Sequence, residues 1–291
     1  MSSREDTAPP VSKRTVPLET RHVPPHSGGS RTLGIDLASQ PGNTAACVVE
    51  WSSSRARIVS ISECLTDVDL LSLMGEQSVS RVAIDAPFGW PLEFVEAVSL
   101  YTSTGAWPLV DPRRLHLRET DRYVREVTGQ QPLSVSADRI AYAAMRCARL
   151  LAQAATPGHP DRTGNGRFIE AYPAAALRVY RIDARRYKGP TIEAEVNRGA
   201  LIAELFRMAP YLEASSVQRG QLVASDHAVD ALICAILART VEIGQALPIP
   251  PAQMGRARQE GWIRLPTTSG LAALAAQPHK VREPKSGAGS T

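Results

Sequence analysis

Cysteine is scarce in this sequence, and long apolar runs are missing from it. The cysteines lie far apart and form no Cys-x-x-Cys pair, which argues against a disulfide framework and against a zinc site; they are Cys47, Cys64, Cys147 and Cys234. No window approaches the roughly 18 consecutive apolar residues of a membrane span, and the first residues lack the apolar segment of a secretory signal. We therefore expect a soluble, cytoplasmic protein that does not bind membranes.

Excess charge is missing from the middle of the chain. The formal net charge is +4 over 291 residues. Residues 1–31 hold five basic and three acidic residues, and residues 276–291 hold three basic residues and one acidic residue, so each end carries +2. The body between the two ends is therefore neutral. A neutral body argues against wholesale coating by nucleic acid, but it is compatible with a local basic surface beside a cluster of acids.

The chain does contain enough apolar material for one sizeable domain. Hydrophobic residues make up 43% of the sequence, which suffices for a substantial core. Residues 1–30 are rich in Pro, Ser, Thr and Arg and predict a disordered arm, and residues 269–291 predict a mostly disordered tail. Between them we expect a single domain at 31–268 with a helical insertion at about 90–160.

The order of the predicted strands and helices indicates an α/β fold. Strands at 32–38, 44–51 and 56–63 are joined by turns so short that an antiparallel meander is expected. A predicted helix then leads to a strand at 81–85, and a helical crossover of this kind makes the pairing parallel. Another strand is predicted at 167–172, and a final short strand at 261–266. We expect a mixed sheet, antiparallel on one side and parallel on the other, flanked by helices.

Acidic residues lie at the ends of several of these strands and near the beginning of one helix. Asp36 and Asp85 each end an apolar strand and precede turn residues, and Glu170 lies near the end of a later strand. The last long predicted helix places Asp226 and Asp230 near its N-terminus, where both can face the sheet. An aspartate after a strand also caps turns, so a purely structural role for Asp36 stays open.

A cluster of these carboxylates would need a cation, because like charges raise one another's pKa. Mg²⁺ and Mn²⁺ prefer oxygen ligands, and two such ions can activate water on one side of a phosphodiester while stabilising the leaving oxygen on the other. The sequence therefore predicts a site for Mg²⁺ or Mn²⁺, with the candidate ligands Asp36, Asp85, Glu170, Asp226 and Asp230.

Seven short motifs occur in an order that resembles one known family. They are Gly34-Ile-Asp36-Leu-Ala, Ile84-Asp85-Ala-Pro87, Arg118-x-Thr120-Asp121-Arg122, Glu170-Ala-Tyr-Pro173, Lys188-Gly189, Asp226-x-x-x-Asp230 and Glu260-Gly-Trp-Ile-Arg-Leu-Pro266. Over roughly residues 32–266 the chain resembles the domain of unknown function 429 family, whose members are predicted nucleases with a ribonuclease H-like fold. The resemblance implies a ribonuclease H-like sheet and a metal-dependent nuclease, with catalytic roles for Asp36, Asp85, Glu170, Asp230 and Lys188.

Basic residues form two groups that could contact nucleic acid. Residues 178–188 contain five basic residues and one acid, Asp183. They either form a phosphate-facing patch or are an ordinary charged surface. Arg178, Arg185 and Arg186 belong to this group. Between 111 and 126 five arginines meet four acids, so mutual salt bridges are expected for most of them. The resemblance nevertheless implies substrate-binding roles for Arg118, Asp121 and Arg122. His227, next to Asp226, is expected to be an exposed histidine.

Two other classes of function stay open. One is an ATP-dependent phosphotransferase of the actin-like and sugar-kinase class, whose first strand and turn are similar to Gly34-Ile-Asp-Leu-Ala-Ser39. That class needs a second glycine-rich phosphate loop, and no Asp-x-Gly-x-Gly turn follows downstream. The other is a nucleic-acid-binding protein without catalysis. The type of nucleic acid is left open in every case.

Overall fold

A mixed six-stranded sheet forms the centre of the protein. The computed structural model describes residues 30–154 and 160–274, so the predicted arm, apart from its last residue, and the predicted tail beyond residue 274 lie outside the described residues. The strands are β1 (Ser30–Asp36), β2 (Ala45–Trp51), β3 (Ala56–Glu63), β4 (Val79–Asp85), β5 (Phe168–Glu170) and β6 (Leu212–Glu213).

Helices connect the strands and cover both faces of the sheet. They are α1 (Asp67–Gly75), α2 (Leu92–Thr104), α3 (Pro112–His116), α4 (Glu119–Thr128), α5 (Ile140–Ala154), α6 (Pro173–Val179), α7 (Ile192–Met208), α8 (Ser216–Ala224), α9 (Asp226–Glu242), α10 (Met254–Glu260) and α11 (Gly270–Ala273). Helices α2 to α5 lie between β4 and β5, where the sequence predicts a helical insertion.

The strand order confirms the predicted sheet. It runs β5-β4-β1-β2-β3-β6. Strands β1, β2 and β3 pair antiparallel, whereas β4 pairs parallel to β1 and β5 pairs parallel to β4. A three-strand meander extended by parallel strands on the side of β1 is consistent with a ribonuclease H-like fold. Strand β6 pairs parallel to β3 and forms an edge of the sheet. With two residues, it is too short to produce a recognisable periodicity in the sequence.

One predicted strand is wrong. Residues 261–266 form no strand of the sheet but only isolated bridges, one from Ile263 to Glu170 and one from Pro266 to Ala246. The reason is local: Gly261 has a φ of 87°, outside the extended region of a strand. The segment still packs tightly, since Trp262 and Leu265 are buried.

The alternating side chains of the strands separate two layers of core. On one face, Leu33 and Ile35 of β1 pack with Ile84 of β4 against helices α1 and α5. On the other face, residues such as Cys47 and Val49 of β2 pack against α9 and its neighbours. This alternation follows from the two-residue period of a strand. The sheet is therefore the middle layer of three.

Helix α9 lies directly on β1 because the strand has no side chain at the crossing. A Cβ atom added to Gly34 would lie 2.0 Å from the carbonyl oxygen of Ala231 and 2.2 Å from the nitrogen of Ala235. Beside this contact, the Thr32 hydroxyl donates to the Ala235 carbonyl at 2.8 Å and accepts from the Trp51 indole N–H at 2.8 Å. The N-terminal half of α9 is thereby fixed over the carboxyl ends of β1 and β4.

None of the described helices qualifies as a membrane span by itself. Within the described residues no helix alone has the length and apolar character to span a bilayer, although α8 and α9, joined at a bend of 113°, meet the length and composition criteria as a pair. Most of α9 is buried inside the protein.

The contact between Gly34 and α9 predicts a large stability difference between two glycine substitutions. Gly34→Ala forces the strand and helix backbones apart and should lower the free energy of unfolding by about 3 kcal/mol or more. Gly199→Ala in α7, where an added Cβ meets no atom within 4 Å, should raise it by about 0.5–1 kcal/mol. Urea unfolding of both variants measures the difference. Equal stability of Gly34→Ala and wild type would contradict the packing described.

Candidate active site

Three aspartates meet where β1, β4 and α9 converge. Asp36 ends β1 and Asp85 ends β4, and the two residues are register partners on adjacent parallel strands. Asp230 lies on the second turn of α9. One carboxylate oxygen from each of the three lies within 4.8 Å of the others. The structure thus brings together three of the five acids that the sequence offers as metal ligands.

Asp230 is the buried member of this group and has two partners. The Tyr187 hydroxyl donates to its Oδ1 at 2.5 Å, and the Lys188 ammonium contacts its Oδ2 at 2.6 Å. Burial raises the pKa of Asp230 to about 6 even though Lys188 acts in the opposite direction. Burial lowers the pKa of Lys188, whereas the neighbouring aspartates raise it. The aspartates have the larger combined effect, so the pKa of Lys188 lies above its ordinary value. Lys188 is therefore a cation held at the edge of the cluster.

Asp36 is paired with a histidine that the sequence interpretation placed on the surface. Nδ1 of His227 lies 2.6 Å from Oδ2 of Asp36, and the His227 side chain is 36% exposed. This hydrogen bond raises the pKa of His227. The expected exposure of His227 therefore holds only in part, and the sequence interpretation missed its contact with Asp36. The usable signal was the spacing between His227 and Asp230, since residues three apart share a helix face.

Asp85 has no hydrogen-bond donor among the described residues, in contrast to the other two aspartates. Burial, followed by the charge of Asp36, raises the pKa of Asp85 well above its ordinary value. Lys188 acts in the opposite direction without contacting it. An acid without a donor beside two further carboxylates is the least compensated charge of the site.

Glu170 lies beside the cluster but belongs to a different network. Its Oε1 is 2.8 Å from Nη2 of Arg118, and its Oε2 accepts from Nη1 of Arg118 and from the Phe88 backbone N–H, both at 3.0 Å. Arg118 also binds Asp121 at 2.9 Å. Burial raises the pKa of Glu170, and Arg118 opposes this rise. Because its oxygens already accept from these donors, Glu170 is not one of the grouped carboxylates.

The buried network also changes the interpretation of the 111–126 region. Arg118 and Asp121 are 2% and 0% exposed, so neither side chain is available to a substrate on the surface. Arg122 pairs with Glu119 at 2.6 Å and donates to the Leu117 carbonyl. These contacts agree with the expected salt bridges, and the substrate-binding roles of the three residues stay a prediction.

Asp226 has a positioning contact of its own. It begins α9, and its Oδ2 accepts from the Gly189 backbone N–H at 3.2 Å. This hydrogen bond ties α9 to the loop that carries Lys188. Asp226 is not a member of the three-aspartate group.

The basic run at 178–188 is largely neutralised by contacts within the chain. Arg185 pairs with Asp183 at 2.6 Å, and Arg186 pairs with Glu193 at 3.1 Å. Arg178 is exposed and makes no ion pair within the described part of the chain. Counting charges along the sequence therefore overstates the basic patch, because Glu193 approaches it only through the fold.

A cleft opens beside Asp85 and Lys188. Its volume is about 320 Å³, and its lining combines these two residues with the Arg118–Glu170 pair and with apolar side chains of the insertion. The aspartate cluster is thus reached through a cavity rather than lying on a flat surface.

The comparisons with known proteins give one family. The family described as "Protein of unknown function (DUF429)" matches residues 34–254, which contain all three clustered aspartates, His227 and Lys188. No curated protein and no solved structure matches the chain.

The crowded carboxylates predict an unusual dependence of stability on pH when divalent cations are removed. Burial and the neighbouring acids raise the folded-state pKa of Asp85, and burial raises that of Asp230 to about 6. The contribution of these two groups to stability is therefore complete below pH about 4 and is lost as the pH rises through the raised values. In EDTA, the Tm difference between Asp85→Asn and wild type should therefore shift in favour of the variant by roughly 3 °C or more as the pH rises from 4 to 7.

Asp183→Asn is the matched control for this measurement. The Asp183 side chain is exposed, and its hydrogen bonds with Arg185 lower its pKa to about 2, so its difference from wild type should stay constant between pH 4 and pH 7. Thermal unfolding followed by circular dichroism measures both variants. A constant difference for Asp85→Asn would show that its carboxylate is not crowded.

Proposed function

This chain belongs to the DUF429 family of proteins of unknown function, and we propose that it is a nuclease that hydrolyses phosphodiester bonds with bound Mg²⁺ or Mn²⁺. The observation that carries the proposal is the meeting of Asp36, Asp85 and Asp230 within 4.8 Å at the ends of three elements. A purely structural cluster would be expected to place a donor against each acid, and Asp85 has none among the described residues.

The donor set fits a hard divalent cation. All three ligand atoms are carboxylate oxygens, which Mg²⁺ and Mn²⁺ prefer, and the mutual repulsion that raises the pKa of Asp85 is relieved by positive charge. Asp36, Asp85 and Asp230 would hold the ion. Glu170 and Asp226 are left out of the proposed ligand set because they are not members of the group whose carboxylate oxygens lie within 4.8 Å of one another. When bound, a divalent cation polarises the phosphoryl group and lowers the pKa of coordinated water.

The chain's own residues supply positioning and charge. Lys188, 54% exposed and held by Asp230, is placed to donate to a non-bridging phosphate oxygen of a substrate in the cleft. Tyr187 fixes the orientation of Asp230 through its hydroxyl. With Nδ1 of His227 held by Asp36, Nε2 is the atom through which this imidazole can accept or donate a proton. The Arg118–Glu170–Asp121 network keeps the neighbouring wall rigid.

A nuclease is favoured over the phosphotransferase class by the architecture. The described residues form one six-stranded sheet and not two copies of a core. The turn after Asp85 contains a proline and one glycine rather than a glycine-rich phosphate loop. A binding protein without catalysis is separated from the proposal by experiment.

Hydrolysis is tested with labelled single-stranded, double-stranded and branched DNA and RNA in Mg²⁺, Mn²⁺ or EDTA. We expect cleavage of at least one substrate with a metal ion and none in EDTA. Asp36→Asn and Asp85→Asn should each lower the rate by roughly 100-fold or more, since loss of a ligand exceeds the 10- to 100-fold cost of losing an outer partner. Asp183→Asn should retain the wild-type rate. Cleavage that persists in EDTA, or in Asp85→Asn, would refute the proposed site.

Metal binding is tested separately from catalysis by thermal unfolding. An ion that binds only the folded state stabilises it by about 2.7 kcal/mol at a concentration 100 times its Kd. We expect Mg²⁺ or Mn²⁺ at millimolar concentration to raise the Tm of wild type and of Asp183→Asn, and to leave the Tm of Asp36→Asn and Asp85→Asn nearly unchanged. An equal rise in all four proteins would place the ion elsewhere.

A further inference from the structure

The cleft beside the aspartate cluster has a lining that differs from the cluster itself. Asp85 and Lys188 are two of its lining residues. Pro132, Leu133 and Ile140 of the insertion form part of an apolar wall of the same cleft. A sugar–phosphate backbone would gain little from such a wall, because its charged and hydroxyl groups would be desolvated without partners. The wall suits a flat, largely apolar group.

Two further charged residues line the cleft without altering this character. Arg118 and Glu170 bind each other and are nearly inaccessible. The charged residues left for a ligand are therefore Asp85 and Lys188. A ligand in the cleft would place its charged part near these two residues and its apolar part against the insertion.

A polar pair inside the cleft offers one donor and one acceptor. Nε2 of Gln130 donates to the Tyr172 hydroxyl at 3.0 Å. This contact leaves the hydroxyl hydrogen of Tyr172 and the side-chain carbonyl oxygen of Gln130 for a ligand. Adjacent donor and acceptor groups beside apolar walls are the combination by which proteins bind the edge and faces of an unpaired nucleobase.

The volume of the cleft limits the size of its ligand. At about 320 Å³ it lies at the lower end of the range of roughly 300–1,000 Å³ for small-molecule pockets. One nucleobase with its sugar is of this scale, whereas a stacked base pair inside a duplex cannot enter a pocket without leaving the stack. Leu133 lines the cleft and is 53% exposed, so it is accessible to an entering base.

We propose that this cleft binds the unstacked base of a nucleotide whose phosphate lies at the aspartate cluster, so that the substrate is a single-stranded or unpaired segment of nucleic acid. The inference rests on the proposed nuclease function for the position of the phosphate. Most of the proposed base contacts come from the insertion, and Tyr172 beyond β5 adds one more, so these residues would determine which form of nucleic acid is accepted.

The test measures base recognition as binding, without hydrolysis. Fluorescence anisotropy in EDTA compares a labelled single-stranded oligonucleotide with an abasic strand of equal length and charge and with a duplex of the same sequence. Stacking of one base on a protein surface is worth about 1–3 kcal/mol, which corresponds to roughly 5- to 150-fold in Kd. We expect the wild-type protein to bind the normal strand at least roughly tenfold more tightly than the abasic strand and the duplex.

Two variants separate base binding from general electrostatics. Leu133→Glu places a charge in the cleft at a half-exposed position, and Val127→Glu places the same charge on the exposed face of α4, outside the cleft. Leu133→Glu should reduce the ratio of the affinities for the normal and the abasic strand to about one. Val127→Glu should weaken binding to both of these strands and leave their ratio unchanged. Gln130→Leu, which removes the acceptor at a partly buried position, should also lower the ratio.

The outcomes of this test are independent of those for the nuclease. Equal binding of normal and abasic strands by wild type, or an unchanged ratio in Leu133→Glu, would overturn the base-binding cleft even if metal-dependent cleavage is found. A ratio that depends on Leu133 in a protein that cleaves nothing would support the cleft and refute the nuclease. Metal-dependent cleavage of duplex at the rate of single strands would contradict the substrate assignment.

Discussion

The packing of helix α9 against strand β1 is the constraint on which the site depends. Gly34 allows the two backbones to touch, and an added methyl group would overlap Ala231 and Ala235. The same stretch of β1 ends in Asp36, and the same helix carries Asp230 one residue before the contact. The helix–strand contact and the carboxylate cluster are therefore consequences of one close approach. A wider spacing between β1 and α9 would separate Asp230 from the two strand-end acids.

This close approach concentrates negative charge, and the surrounding residues compensate it unequally. Asp230 is compensated by Lys188 and Tyr187, and Asp36 by His227. Asp85 is left without a donor, and its pKa is raised by burial and by its neighbours. Full compensation would have given a stable but inert cluster. The uneven arrangement leaves the Asp85 carboxylate without a donor, which is the basis of the proposed cation site.

Sequence periodicity predicted the parts of this arrangement that depend on local chain geometry. Asp36 and Asp85 were identifiable because each follows an apolar strand, and short turns determined the meander that sets the order of the strands. Asp230 followed from helix periodicity. Contacts between distant segments are not predictable in this way: Arg118 reaches Glu170 across 52 residues of sequence, and His227 reaches Asp36 across 191. Compared with Asp226, its neighbour in sequence, His227 points to a different side of the helix, which favours an exposed position. Compared with Asp230, three residues on, it lies on the same helix face.

The central claim is that Asp36, Asp85 and Asp230 bind a divalent cation together. Its most direct measurement is a crystal structure of the protein grown with Mn²⁺, analysed by the anomalous scattering of manganese. The account predicts an anomalous peak within about 2.0–2.6 Å of an oxygen from each of the three aspartates, and no peak there in crystals of Asp85→Asn. A peak bound by Glu170 or Asp226 instead, or no peak at the aspartate cluster of the wild-type protein, would contradict it.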